Sequence, residues 1–148
     1  RMMKHKVYIS TYDTNLIPTR ETEWASWYDV KIAEDVTIEP GEVVVVKCWI
    51  KTTAWYKVYA RSSLPKLWLM IPNSVGIIDS DYRWELKLQL YNFTNDTVTL
   101  DKYTRIGQIV YDIQPTTIET VVEVNTFLEW DKIFPTKRWE GWFGSTNK

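Results

Sequence analysis

The amino-acid sequence predicts an all-β protein, an antiparallel sandwich or barrel with little helix. Short apolar runs recur roughly every eight to twelve residues, the spacing of short strands joined by turns. Turn-forming residues such as Pro40-Gly41 separate β-branched runs. No segment has clear helical periodicity. With 148 residues, the chain has the size of a single domain.

The elements are predicted in chain order from these runs. A first strand is expected at residues 7–9, and strands at 30–38 and 43–48 flank Glu39-Pro40-Gly41-Glu42, forming the clearest hairpin in the chain. One short helix is expected at 62–67, around Pro65. Further strands are expected at 57–60, 97–100 and 106–113, with 121–124 as another candidate.

A second hairpin is predicted around Gly-Ile-Ile-Asp-Ser-Asp-Tyr-Arg, residues 76–83. Its apolar start suits a buried strand, and Asp79-Ser80-Asp81 favours a turn. The next residues, 86–91, alternate leucine with polar side chains and form the expected partner strand. Such a hairpin would hold Asp79 and Tyr82 rigidly, as a catalytic carboxylate requires. Taken alone, two acids in a turn are more often solvated surface groups.

Composition narrows the class of function. The formal net charge is -1, from 18 Lys and Arg against 19 Asp and Glu, which argues against a nucleic-acid-binding protein. Cys48, the only cysteine, lies in an apolar run and is expected to be buried and unreactive. No apolar run is long enough to span a bilayer. We therefore expect a soluble, cytoplasmic protein with no membrane partner.

Five stretches resemble, in order, the motifs of the trimeric dUTP pyrophosphatases (dUTPases). The resemblance extends over roughly residues 25–146. It implies a distorted antiparallel barrel of the jelly-roll or β-clip kind, which hydrolyses dUTP to dUMP and pyrophosphate with Mg²⁺. The five stretches are Tyr28-Asp29, Arg61-Ser62-Ser63-Leu64, the octapeptide at 76–83, Arg105-Ile106-Gly107-Gln108, and the tail at 138–146.

The resemblance assigns the chemistry to two residues. Asp79 would activate the water that attacks the α-phosphorus, and Arg61 would hold Asp79 by ion pairing. Tyr82 would pack under the deoxyribose and leave no room for a 2′-hydroxyl. The amide of Asn73 and the strand backbone, at Gly76 and Ile78, would read the uracil edge.

The resemblance also assigns the phosphate and metal contacts. Asp29 and Gln108 would hold Mg²⁺ through water, as suits an ion that keeps much of its hydration. Phe143 would stack on uracil. The groups expected at the phosphates are Ser62, Ser63, Gln108, Arg138, Ser145, Thr146 and the Gly144 backbone.

Assembly follows from the same resemblance. Residues 1–130 would form the barrel domain, and 131–148 a C-terminal arm that closes over a neighbouring subunit's site. The resemblance implies a homotrimer in which each site draws on three chains. The hairpin with Asp79 would come from one chain, Ser62 and Gln108 from a second, and the arm from a third.

Two other functions fit the same motifs. A dCTP deaminase shares Ala-Arg-Ser-Ser-Leu and Arg-Ile-Gly-Gln, but it needs a carboxylate where this chain has Gln89. A non-catalytic dUTP-binding or regulatory module would keep the scaffold and lose turnover. Metal hydrolases with histidine ligands are excluded, since His5 is the only histidine.

Tryptophan is more common here than glycine, at 9 residues against 5. Seven tryptophans stand where the family motifs have glycine, and left-handed backbone at all of them would cost roughly 7–14 kcal/mol. Either most of these positions have ordinary φ, or the indoles pack usefully, or glycines of a parent sequence were replaced. Trp139 and Trp142 are expected to hinder arm closure and lower activity, so that reverting both to glycine would raise kcat/KM. The seven are Trp27, Trp49, Trp55, Trp68, Trp84, Trp139 and Trp142.

Overall fold

The computed structural model describes residues 5–113, 116–121 and 124–138. Twelve strands dominate this part of the chain, with two short α-helices and two 3₁₀ turns, at Thr14–Leu16 and Leu64–Leu67. The predicted all-β class with little helix is confirmed, and so is a short helical turn within residues 62–67. The strands are β1 His5–Thr11, β2 Tyr28–Lys31, β3 Val36–Ile38, β4 Val43–Lys47, β5 Ile50–Thr52, β6 Tyr56–Ala60, β7 Leu69–Met70, β8 Gly76–Ile78, β9 Lys87–Asn92, β10 Val98–Leu100, β11 Arg105–Tyr111 and β12 Thr116–Val121; the helices are α1 Val124–Leu128 and α2 Trp130–Ile133.

Four small sheets wrap around one apolar core. Their strand orders are β12-β1-β5, β10-β3, β2-β11-β6-β8 and β4-β9-β7. Every pair is antiparallel except β1 with β12, which is parallel. Ile9, Ile109 and Leu90 come from different sheets and are all fully buried in the same cluster. This arrangement is that of a jelly-roll barrel, as expected.

The predicted hairpin at Pro40-Gly41 is wrong. The turn exists, because Glu42 N–H donates to the Glu39 carbonyl at 3.0 Å and Gly41 has a φ of 74°. However, β3 pairs with β10 whereas β4 pairs with β9, so the chain changes sheets at this turn. The predicted strand over 30–38 is likewise divided into β2 and β3.

The second predicted hairpin is wrong for the same reason. Strand β8 pairs with β6, and β9 pairs with β4 and β7. The alternation of buried and half-buried residues in β9 is confirmed. Residues 79–86 therefore form a crossing between two sheets and are not the tip of a ribbon.

The strand predicted at 121–124 is also wrong, because β12 ends at Val121 and α1 begins at Val124. Phe127 and Trp130 are buried and lie three residues apart, a helical spacing. Phe134 follows α2, 4.6 Å from the Trp130 ring and 5.4 Å from the Tyr8 ring. Neither α-helix among the described residues has the length to cross a lipid bilayer.

Two core positions have consequences for chemistry and packing. Cys48 is fully buried as predicted, and burial raises the pKa of its thiol well above the usual range. Gly107 sits at a bulge in β11, where an added methyl would meet Leu88 Cδ1 at 3.2 Å and the Tyr59 carbonyl at 3.3 Å. A side chain at Gly107 would thus push β11 away from its neighbours.

Candidate active site

The structure gathers polar site residues into two groups. The first lies on the sheet β2-β11-β6 and consists of Asp29, Arg61, Arg105 and Gln108, called here the strand cluster. Asp29 on β2 stands directly opposite Gln108 on β11. Arg61 follows the last residue of β6, and Arg105 begins β11. Ladder pairing therefore fixes the positions of all four residues.

Asp29 is the buried centre of the strand cluster. Its side chain is 5% exposed, with Arg61 Nε 3.4 Å from Oδ1 and Arg105 Nη1 3.5 Å from Oδ2. Within the described part of the chain, Asp29 Oδ1 and Arg61 Nε have no hydrogen-bond partner. The charges are thus paired while hydrogen-bonding capacity is left unused, which suits a site that binds water or a phosphate oxygen.

The turn after β6 places the two predicted serines beside this cluster. Leu64 N–H donates to the Arg61 carbonyl at 3.0 Å, and the Leu64 side chain is buried. Ser62 is exposed and Ser63 is half-buried. The turn is anchored by Leu64 and presents the Ser62 side chain to solvent.

The second group, called here the loop cluster, consists of Asp79, Asp81, Tyr82 and Arg83 on the crossing after β8, together with Arg138 from the segment after α2. The side chains of Asp79 and Asp81 are 57% and 52% exposed. Arg138 Nη1 donates to Asp79 Oδ2 at 2.7 Å and to Asp81 Oδ1 at 3.0 Å. Burial lowers the pKa of Arg138, but the two carboxylates outweigh it and raise the pKa overall.

Tyr82 is fixed by its own turn. Its N–H donates to the Asp79 carbonyl at 3.1 Å, and its hydroxyl donates to the Glu85 carbonyl at 2.8 Å. The Trp84 ring meets it edge-on at 5.9 Å, and the Arg138 guanidinium lies 5.5 Å from its centre. The ring position is therefore determined by local contacts.

Strand register places the two clusters far apart in one chain. Tyr56 pairs with Ile78, so position 79 lies next to Trp55 at the start of β6, whereas Arg61 follows its end. Six residues of extended chain at roughly 3.3 Å each separate these ends by about 20 Å. The Asp79–Arg61 pair predicted from the sequence does not form within one chain, where each residue has another partner.

The predicted uracil-reading residues lie on the same exposed edge as β8. Asn73 is exposed, and Gly76 and Ile78 are half-buried opposite Val58 and Tyr56. An added methyl at Gly76 would make only ordinary contact with Val58, at 3.6 Å. The chain's own packing does not require glycine at this position.

Two functional residues were not singled out from the sequence. Arg105 stands within a recognised stretch, yet its reach to Asp29 follows only from the pairing of β11 with β2. Arg83 resembles a surface charge in the sequence, but it is half-buried and donates to three backbone carbonyls. The signal for Arg83 that the sequence offered was a basic residue directly after an Asp-Ser-Asp-Tyr turn.

Comparison with known proteins decides the family. The dUTPase family model matches residues 13–146. The chain belongs to the dUTPase family. A deoxyuridine 5′-triphosphate nucleotidohydrolase from Nautilia profundicola is 34% identical over 138 residues, which cover 90% of this chain and 92% of that protein. A second, from Fusobacterium nucleatum, is 31% identical over 99% of this chain and all of its own length.

A solved dUTPase structure extends this relationship to the fold. The Streptococcus mutans dUTPase superposes with a TM-score of 0.64 at 36% identity, covering 67% of this chain and 86% of that one. Both predicted features, the dUTPase family and the jelly-roll architecture, are thereby confirmed.

The strand cluster fits the outer-sphere magnesium site expected of a dUTPase. No three side chains of His, Cys, Asp or Glu gather as metal ligands among residues 5–113, 116–121 and 124–138. Mg²⁺ bound mainly by substrate phosphates and water needs no such cage. Asp29 Oδ1, which accepts no hydrogen bond from the residues that the structure describes, and the neighbouring Gln108 can receive hydrogen bonds from metal-bound water.

The rest of the dUTPase tail motif falls outside the described residues. Arg138 is its only member with a described position. The predicted ligand contacts of Phe143, Gly144, Ser145 and Thr146 therefore remain predictions, as does the expected hindrance by Trp139 and Trp142.

Proposed function

We propose that the protein hydrolyses dUTP to dUMP and pyrophosphate, with Asp79 as the base that activates water. Family membership over residues 13–146 supports the reaction. The observation that carries the assignment is the contrast between Asp79 and Asp29. Asp79 is an exposed carboxylate on a loop. Asp29 is buried between two arginines, where it cannot approach a substrate phosphorus.

The reaction divides between the two clusters. Asp79 accepts a proton from water as the water oxygen bonds the α-phosphorus, and the bond from that phosphorus to the α–β bridging oxygen breaks. The electron pair leaves with pyrophosphate. Mg²⁺, when bound, would neutralise charge on the phosphates, and Asp29 and Gln108 would hold its water. Arg61 of a neighbouring chain pairs with Asp79, while Ser62 and Ser63 hold phosphate oxygens.

Selectivity for dUTP arises from β8 and the loop cluster. The Tyr82 ring, held by its own turn, packs under the deoxyribose and excludes a 2′-hydroxyl. Asn73 and the backbone at Gly76 and Ile78 bind the uracil edge. The room left beside Gly76 supports close approach of a base to this strand.

We propose that the active unit is a homotrimer. The separation of about 20 Å between Asp79 and Arg61 supports a site completed by a second chain. Edge strand β8 leaves Ile77 70% exposed, and the outer face of β4 leaves Val43 and Val45 51% and 54% exposed. Apolar surface of this kind favours association. Sedimentation showing a monomer at micromolar concentration would contradict this proposal.

The arm, residues 131–148, then closes the site of a neighbouring chain. In this scheme Arg138 grips the γ-phosphate, and Phe143 stacks on uracil while Gly144, Ser145 and Thr146 complete the phosphate contacts. Arg138 already holds two anionic groups, Asp79 and Asp81, which supports its affinity for phosphate. A cytoplasmic location is part of the same proposal.

Pyrophosphate release tests the function directly. With Mg²⁺ present, dUTP should be hydrolysed and dCTP, dTTP and UTP should be poor substrates. Calorimetric titration with a non-hydrolysable dUTP analogue provides the parallel measurement of binding. Analogue binding without pyrophosphate release would identify a binding module, and ammonia release from dCTP would identify a deaminase.

A further inference from the structure

Arg83 connects two segments far apart in sequence. Its Nε donates to the Phe134 carbonyl at 2.9 Å, and its Nη1 donates to the carbonyl of Ser80, the residue after Asp79. A third, longer contact joins Nη1 to the Tyr82 carbonyl at 3.4 Å. One side chain therefore joins the loop that carries Asp79 to the start of the C-terminal arm.

The arm end of this connection is a fixed point. Phe134 N–H donates to the Trp130 carbonyl at 2.9 Å, and the Phe134 ring packs on Trp130 and Tyr8. Trp130 is fully buried. A hydrogen bond to the Phe134 carbonyl is thus a bond to the barrel's own core.

The chemistry of the contact requires an arginine. A guanidinium has five donors in a rigid planar fork, so it can bond carbonyls that point in different directions. Lysine has a single nitrogen at the end of a flexible chain and cannot span both. Burial lowers the pKa of Arg83 and nearby Asp81 opposes this, so the group stays charged beside the carbonyls.

Two further contacts run between the same segments. Thr136 Oγ1 donates to the Asp81 carbonyl at 2.8 Å, and Arg138 bonds the Asp79 and Asp81 carboxylates. The contacts from residues 134, 136 and 138 all end on residues 79–83. Residues 134–138, called here the arm root, are therefore held against the loop by every second residue.

We propose that Arg83 is a positioning residue that fixes the point and direction from which the arm leaves its own chain. This rests on the proposed function, in which the arm closes a neighbouring site and Arg138 exchanges Asp79 and Asp81 for the γ-phosphate. An arm that starts from a fixed root loses less conformational freedom on closing, so binding of substrate is stronger. Arg83 touches no substrate in this scheme and acts only through the arm.

A double-mutant cycle tests this role. Arg83→Gln should lower kcat/KM for dUTP about tenfold in the full chain, mostly through a higher KM, a coupling of the usual size for residues in one network. In a chain that ends at Arg138, the same substitution should change kcat/KM less than about twofold. Arg83→Lys should recover part of the loss, because it keeps the charge and one carbonyl contact. Equal losses with and without residues 139–148 would overturn the proposal.

Trypsin cleavage after Lys137 and Arg138 gives a readout that needs no substrate. Cleavage at these two sites should be about tenfold faster in Arg83→Gln, at a temperature below the unfolding transition of both proteins, because the root opens more often. Lys132→Gln is the matched control, since that cation of the arm is 75% exposed and pairs only with Glu129 in the described structure. If the parent protein does not hydrolyse dUTP, the proposed function is wrong, and the trypsin experiment still tests whether Arg83 holds the arm root. An unchanged cleavage rate in Arg83→Gln would refute the positioning role of Arg83.

Discussion

The strand cluster and the loop cluster hold their acids in opposite ways. Asp29 is buried in a ladder of three strands, with both oxygens facing arginines of the same sheet. Asp79 is exposed on a crossing between sheets and meets a partner from the C-terminal segment. One half of the site is therefore built into the barrel, whereas the other half depends on a contact with the C-terminal segment.

The largest effect should come from removing the exposed base. Asp79→Asn should lower kcat by about 10²- to 10⁴-fold, the usual contribution of a general base, while analogue binding persists. Pyrophosphate release and calorimetry measure the two properties. Asp81→Asn is the matched control, since Asp81 has similar exposure and shares Arg138, and it should keep most activity. Equal losses in both variants would remove the distinction between the two acids.

The buried acid should matter more for stability. Asp29→Asn leaves Arg61 and Arg105 facing a neutral amide and should lower the free energy of unfolding by about 2 kcal/mol. Asp79→Asn should change it by less than about 1 kcal/mol, since exposed ion pairs contribute little. Urea unfolding at equal protein concentration compares them. Equal destabilisation by the two substitutions would show that burial does not separate the clusters.

A smaller effect on stability should arise at Glu85, which lies on the crossing just before β9. Burial raises the pKa of Glu85, opposed by Lys87 and Lys47, and Glu85 Oε1 has no hydrogen-bond partner among the described residues. The folded state therefore favours the protonated acid. Its stabilisation is present below the ordinary pKa of 4.5 and is lost as pH rises through the folded value.

Glu85→Gln should remove that pH dependence and be more stable than the parent by about 1 kcal/mol at pH 7. Urea unfolding between about pH 4 and 7.5 should show a difference that grows with pH and then levels off. A constant difference across this range would mean that Glu85 keeps an ordinary pKa in the folded protein.

The smallest effect concerns backbone strain beside the strand cluster. Trp68 has a φ of 61° and is 63% exposed, so Trp68→Gly should stabilise the protein by about 0.5–1 kcal/mol. Trp55→Gly is the control, because Trp55 is 53% exposed and lacks a positive φ. It should be neutral or destabilising in thermal unfolding. A gain at Trp55 equal to that at Trp68 would show that strain is not the cause.

The tryptophans also show how much about backbone strain could be predicted from the sequence. Of the five described at family glycine positions, only Trp49 and Trp68 are left-handed. The Trp49 ring meets Tyr12 edge-on at 5.8 Å, so its indole also packs. The sequence indicated that such positions could not all be strained. Which of these positions are strained depends on the path of the backbone, and amino-acid composition does not encode that path.

Strand pairing was the main part of the fold that sequence did not decide. Alternation in β9 correctly identified the buried face, because burial follows a period of two. The turn at Pro40-Gly41 and the crossing at Asp79 look local in sequence, yet each leads to a strand in another sheet. A tight turn fixes the direction of the chain but not the edge that the next strand joins.

The candidate site was predictable by residue type but not by grouping. Asp29, Gln108 and the serines meet through registers that no single segment contains. Arg61 was expected beside Asp79, and only the pairing of β6 with β8 shows that one chain separates them. The pairing of strands that are far apart in sequence therefore determines which site residues lie together, and the motifs alone do not contain this information.

The buried thiol of Cys48 makes this protein convenient for optical measurement. It is the only cysteine in the chain, and its burial and raised pKa leave almost no thiolate to react with maleimides. A Lys137→Cys substitution would place one reactive thiol at an exposed position on the arm root. A dye attached there could follow the proposed arm closure in real time, with the native cysteine left in place.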